Sequence, residues 1–179
     1  MPTNSSHENC WDLTPLYAAP TDPAWENDLQ GALSNAHAFA ADFRGTLDDG
    51  TIQAPGLAVA LQRYAALQKL GLKPYFYAQL LFSAKSDDDR HKALFARARE
   101  VWHTVMETTL FFELDLLRLN NEIFAPLLMA PELQEYAHYL RQLRAHAPYT
   151  LSETVEQALK RKDLSGKEAF AQLFAVISG

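Results

Sequence analysis

Cysteine is almost missing from this 179-residue chain: Cys10 stands alone, so no intramolecular disulfide can form and nothing points to an oxidising compartment. Glycine is scarce as well. The seven glycines are dispersed, and none builds a Gly-rich phosphate loop or a Gly-x-Ser-x-Gly nucleophile elbow. Lysine and arginine are missing from Met1 to Asn9, and no apolar stretch follows, so a secretory signal is not expected. The longest apolar-looking run, Tyr75 to Ala84, is too short to span a bilayer and carries Gln79 and Ser83. Period-two alternation, internal repeats of fixed length and low-complexity runs are all lacking, which argues against β architectures and solenoids.

What is there describes an ordinary globular protein. Hydrophobic residues make up 48% of the chain and charged residues 21%. A chain of this length buries ~70% of its unfolded surface and needs no covalent staple. The net charge of −6 speaks against a nucleic-acid or anionic-membrane surface. A cytoplasmic location is the default expectation. Residues 1–20 read as an extended lead-in and residues 21–179 as one helical domain.

Helical spacing dominates after residue 22. Asp22 can cap a helix with Pro23 at its first position. Trp25, Leu29, Leu33, Ala36, Ala40, Phe43 and Leu47 then form one apolar stripe, ended by Asp48-Asp49-Gly50. Leu57, Leu61, Tyr64 and Leu67 mark a second helix over roughly Pro55 to Leu70, with Gly71 as its C-cap and Pro74 beyond. Tyr75 to Ser83 is apolar on nearly all sides, the pattern of a helix buried in a bundle.

Ser86-Asp87-Asp88-Asp89 supplies a cap and early negative charge for a long helix. Its stripe is Leu94, Ala98, Val101, Val105, Phe112, Leu116 and Leu119, making it the expected spine. Pro126 and Pro131 bracket a short helical turn, and Leu133, Tyr136, Leu140 and Leu143 define a helix from Glu132 to Pro148. Thr150-Leu151-Ser152-Glu153 reads as a capping box, and Ser165-Gly166-Lys167-Glu168 opens a last helix carrying Phe170, Leu173, Phe174 and Ile177. The predicted class is all-α, a bundle of about six to eight helices around one long central helix.

Few residues are arranged for chemistry. Glu100-Val-Trp-His103 and Glu135-Tyr-Ala-His138 are Glu-x-x-His pairs, as di-iron carboxylate bundles use. Such bundles also need a lone Glu on each of two further helices, yet Leu57 through Lys85 contain no Asp or Glu at all. The surface reading of both pairs is therefore preferred, and no cofactor is assigned to this chain. Tyr75-Phe76-Tyr77 with Phe82 could line a peptide groove, although core packing is the better account of so apolar a neighbourhood. Lys160-Arg161-Lys162 reads as a solvated run at a helix end.

Four motifs in order carry a family resemblance. They are Trp11-Asp12-Leu13-Thr14-Pro15-Leu16-Tyr17, Phe111-Phe112-Glu113-Leu114-Asp115-Leu116, the stretch from Tyr139-Leu140-Arg141-Gln142-Leu143-Arg144 through Pro148 to Glu153, and Gly166 to Phe174. Together they resemble the N-terminal region of the oligoendopeptidase F family of zinc metallopeptidases. The resemblance implies a non-catalytic helical domain that walls one side of an enclosed cavity for short peptides. The His-Glu-x-x-His zinc site such enzymes use is absent from this chain, so zinc is expected in a separate C-terminal catalytic domain, which would be the principal partner. Tyr75, Tyr77 and Tyr149 become candidate cavity-lining residues, Tyr149 standing where relatives often carry His. Phe170, Phe174 and Ile177 are candidate interface residues, covered by that domain or by self-association. The competing reading is a stand-alone helical interaction protein. Neither reading involves nucleic acid or a membrane.

Overall fold

The computed structural model describes residues 11–47, 52–145 and 151–178; the side chains at 164, 165, 168, 172 and 175–178 lie outside the description. Seven α-helices and one 3₁₀ turn follow in order, with no strand among the described residues. The chain is all-α, as the spacing predicts. None of the described helices is long and apolar enough to cross a membrane.

Helix α1 (Pro23–Phe43) starts where Asp22 accepts a hydrogen bond from the Ala24 amide, with proline at its first turn. Its buried face is Trp25, Leu29, Ala32, Ala36 and Phe39, while Leu33, Ala40 and Phe43 flank the core. The stripe therefore runs through Ala32 and Phe39 where the sequence reading placed Leu33 and Ala40. The chain leaves the helix before Leu47: Gly45 takes a φ of +82°, and the turn it permits returns Leu47 to the core.

Helix α2 (Ala54–Ala84) corrects a larger expectation. It runs through both Gly71 and Pro74, so the two predicted segments are one helix of 31 residues. Gly71 is no C-cap. A Cβ there would lie 2.7 Å and 2.8 Å from ring atoms of Trp102, so this glycine lets two helices approach closely. Pro74 removes one helical donor, yet its carbonyl accepts from the Trp25 indole N–H at 3.1 Å. Burial of Tyr77, Ala78 and Phe82 beyond it holds the helix together past this breaker. The segment after Pro74 is not buried all round, because Phe76 is 49% exposed.

Helix α3 (Asp89–Arg118) is the long central helix and spans ~45 Å. Asp88 caps it, accepting from the amides of Arg90 and His91. Its core face includes Phe95, Ala98, Val101, Val105, Phe112 and Leu116. Helices α1, α2 and α3 pack on one another as a three-helix layer. Helix α4 (Asn121–Met129) is capped by Asn120 and contains Pro126, which lies within the helix instead of bounding it. A 3₁₀ turn, Pro131–Tyr136, then feeds α5 (Ala137–Ala145), burying Leu133, Ala137 and Leu140 against α2 and α3.

Helix α6 (Glu153–Ser165) packs on α3, and α7 (Lys167–Ser178) packs on α6. Thr150, which opens the expected capping box, lies outside the described residues; Ser152 is the N-cap without a side-chain bond, and the Glu156 carboxylate accepts from the Leu151 amide at 3.0 Å.

The Gly71 contact yields a paired stability prediction. Gly71→Ala should destabilise by ~1–3 kcal/mol, because the indole is bulky and rigid and the helices must separate. Gly31→Ala, whose Cβ would meet Leu70 at an ordinary 3.5 Å, should stabilise by ~0.5–1 kcal/mol. Urea denaturation midpoints of the two variants, moving in opposite directions, check both.

Candidate functional site

The N-terminal heptapeptide is tied to the bundle at one end and free at the other. Asp12 accepts from the Thr14 amide and hydroxyl at 3.0 Å and 2.7 Å, fixing a turn that leaves Trp11 80% exposed. Tyr17 enters the core and packs edge-on against Tyr77 with ring centroids 4.9 Å apart. Its hydroxyl donates to Asp28 at 2.7 Å, and Lys73 donates to the same carboxylate oxygen at 2.9 Å while lying over the Tyr17 ring. Burial, and next the Asp28 carboxylate, push the Tyr17 hydroxyl well above its ordinary pKa.

A second polar knot crosses the far side of the bundle. Glu113, inside the Phe111–Leu116 motif, accepts from the hydroxyls of Tyr64 on α2 and Tyr139 on α5, both at 3.0 Å. Each phenol is held well above its usual pKa, first by burial and then by the adjacent carboxylate. No sequence signal could have found this triad, because the partners are 49 and 26 residues from Glu113.

Concavities open on the described surface, two of them beside residues already named. One, about 330 Å³, lies between α1 and α2 and is bordered by Asn35, Phe39, Arg63, Ala66, Leu67 and Leu70. The other, about 210 Å³, lies where α2, α3 and α6 meet and is lined by Tyr75, Trp102, His103, Met106, Lys160 and Asp163. Helix α6 is seated over it by two ion pairs, Arg161 with Glu107 and Arg44 with Glu153. Arg44 also lies 4.3 Å above the Phe111 ring. The Lys160–Lys162 run is therefore more than a solvated helix end: Arg161 anchors α6 and Lys160 lines the cleft.

The expected site residues are dispersed. Tyr75 borders the second cleft, with its ring 6.4 Å from that of Trp102. Tyr77 is 2% exposed and belongs to the core. Tyr149 lies outside the described residues, and Ile177 outside the described side chains. Phe170 and Phe174 are 73% and 72% exposed on α7, and with Val155, Leu159 and Leu173 they give α6 and α7 exposed apolar residues, Leu151 adding another just before α6. Glu135 and His138 are both exposed, and no three His, Cys, Asp or Glu side chains are grouped to hold a metal among the described residues. The described residues therefore do not fit a zinc ion, which needs three or four such ligands.

Comparison with known proteins gives two matches. The Oligopeptidase F family model matches residues 115–179, from the end of α3 through α7. The Group B oligopeptidase PepB of Streptococcus agalactiae serotype III (strain NEM316) is 31% identical over 170 residues, covering 89% of this chain. The chain spans only 26% of that relative's length. No solved structure matches.

The Glu113 knot predicts alkaline sensitivity. An unfolded tyrosine loses its proton near its ordinary value of 10.0, whereas folded Tyr64 and Tyr139 keep theirs to higher pH. Above that value the unfolded state binds fewer protons, so stability should be full below pH ~10 and fall as pH rises past it. Tyr64→Phe and Tyr139→Phe should each cost ~1 kcal/mol near neutrality and should flatten that alkaline loss. Urea midpoints of wild type and variants at about pH 8 and about pH 11 measure both effects.

Proposed function

The chain is an N-terminal domain of the oligopeptidase F family, and from that premise we propose that it forms a non-catalytic wall of an enclosed cavity in which a longer polypeptide hydrolyses short peptides. The observation that carries this reading is proportion. The match to an oligopeptidase runs along 89% of this chain and only 26% of the relative. The reading places the hydrolytic machinery in the remaining length, as a C-terminal catalytic domain with a zinc site. The His-Glu-x-x-His sequence does not occur within these 179 residues, and no step of hydrolysis is routed through any residue described here.

A helical wall suits a size filter. Two helices of about 30 residues, packed along their length, make a stiff slab, and a cavity closed by such a slab admits short flexible peptides while excluding folded proteins. Within this reading residues 1–20 are a lead-in, residues 21–179 are the domain, Tyr75 and Tyr149 remain the candidate lining while Tyr77 lies in the core, and the enzyme works in the cytoplasm. The apolar surface of α6 and α7 would meet the catalytic portion through Phe170, Phe174 and Ile177, and a chain lacking that portion would cover it by self-association. The same exposed residues favour a second reading, a helical protein-interaction domain without any catalytic partner.

Incubation of the purified chain with a quenched fluorogenic peptide and added zinc tests the non-catalytic assignment; no turnover above a heat-killed control is expected, and chelator-sensitive hydrolysis would overturn it. Light scattering tests the interface. The wild type should self-associate, and Phe170→Glu and Phe174→Glu should shift it toward monomer without loss of helical circular dichroism. A wild type that stays monomeric at high concentration removes the self-association proposal.

A further inference from the structure

The cleft between α2, α3 and α6 combines three features that together describe a ligand. Its floor is aromatic and pre-set. Trp102 lies against the α2 backbone at Gly71, where only a glycine leaves room for the indole, and Tyr75 lies 6.4 Å away, centroid to centroid. Neither ring needs to reorganise to accept a flat apolar group, and Met106 adds a polarisable edge.

Its upper rim carries one charge of each sign. Lys160 and Asp163 stand three residues apart on α6, yet neither has an ion-pair or hydrogen-bond partner among the described residues. Most other opposite charges at that spacing do pair, although Asp87 and Arg90 likewise form no ion pair among the described residues. Asp89 with Lys92, Asp115 with Arg118, Lys85 with Asp88 and Arg97 with Glu100 all close to between 3.1 Å and 3.8 Å. A cation and an anion that line one cleft together with aromatic side chains are complementary to a molecule bearing both charges and a ring.

Size narrows the class. The cleft holds about 210 Å³, below the ~300–1,000 Å³ of ordinary small-molecule sites. Its volume suits a single residue. We propose that the cleft bordered by Trp102, Tyr75, Lys160 and Asp163 binds a free zwitterionic amino acid with an aromatic side chain. Asp163 accepts from the α-ammonium group, Lys160 donates to the α-carboxylate, and the side chain stacks on Trp102. His103 borders the same space and discriminates between side chains. The site belongs to this chain's own helices and stands apart from the cavity reading, sharing only Tyr75 with it.

Calorimetric titration of the 179-residue chain with L-phenylalanine tests this directly. Saturable one-to-one binding with a millimolar Kd is expected. N-acetyl-L-phenylalanine and L-phenylalaninamide, each missing one charge, should bind roughly tenfold more weakly, as should L-phenylalanine to Lys160→Ala and to Asp163→Ala. Both variants change partly exposed or exposed positions on α6, and unchanged circular dichroism confirms their fold. No saturable binding of L-phenylalanine overturns the proposal. Equal binding by the singly charged analogues, or by both variants, overturns it as well. Peptidase activity plays no part in the readout, so this outcome is independent of the cavity wall.

Discussion

Everything in this fold hangs on the seam where α1, α2 and α3 meet, and Phe39 is its centre. Its ring lies 4.9 Å from Phe43, 5.7 Å from Tyr64, 6.0 Å from Phe111 and 5.1 Å from Phe112, joining all three helices in one aromatic cluster. Rings interlocked at tilted angles, and edge to face between Phe39 and Phe112, resist sliding as well as separation, so the register of the three helices is fixed here. The Glu113 knot extends that seam toward α5, and the Trp25 bond to the Pro74 carbonyl extends it toward the other end. A polar network of this kind specifies an arrangement more than it stabilises it, since each member must find its partner in the folded state.

Helix α6 joins this body in a different way. Its ties are ion pairs between partly exposed side chains, and such pairs are individually weak. The cleft therefore has one rigid wall, made by α2 and α3, and one wall held by salt-sensitive contacts. That division suits a binding element better than a load-carrying one. It also separates the two proposals physically: the aromatic cleft lies where α6 meets α2 and α3, while the apolar residues on α6 and α7 stand exposed.

Much of the architecture was legible because helix signals are local. Asp88 as a cap and a stripe through Ala98, Val101, Val105, Phe112 and Leu116 mark α3 to within a residue of its ends. Where reading failed, tertiary contact had overruled a local cue. Gly71 and Pro74 carry the ordinary marks of a helix end, and only the approach of Trp102 explains why a glycine sits mid-helix. The α1 stripe slipped because steps of three and four both fit from Ala36: Phe39 and Ala40 were equally allowed, and only the partner rings select Phe39. The cleft joins residues up to 88 positions apart, Tyr75 and Asp163, and charges that fail to pair leave no trace in a sequence. The family resemblance, by contrast, rests on ordered short motifs, two of which fall wholly in the 65 residues that the family match spans.

The central claim is that this helical slab acts as a size-selective wall without chemistry of its own. Replacing the matching segment of the Group B oligopeptidase with this chain, and measuring hydrolysis of a peptide series of increasing length against the unaltered enzyme, tests it most directly. The account predicts that the chimera folds, cleaves short peptides and rejects long ones with a cutoff close to the parent's. A well-folded chimera that cleaves long unfolded polypeptides as fast as short peptides would contradict it.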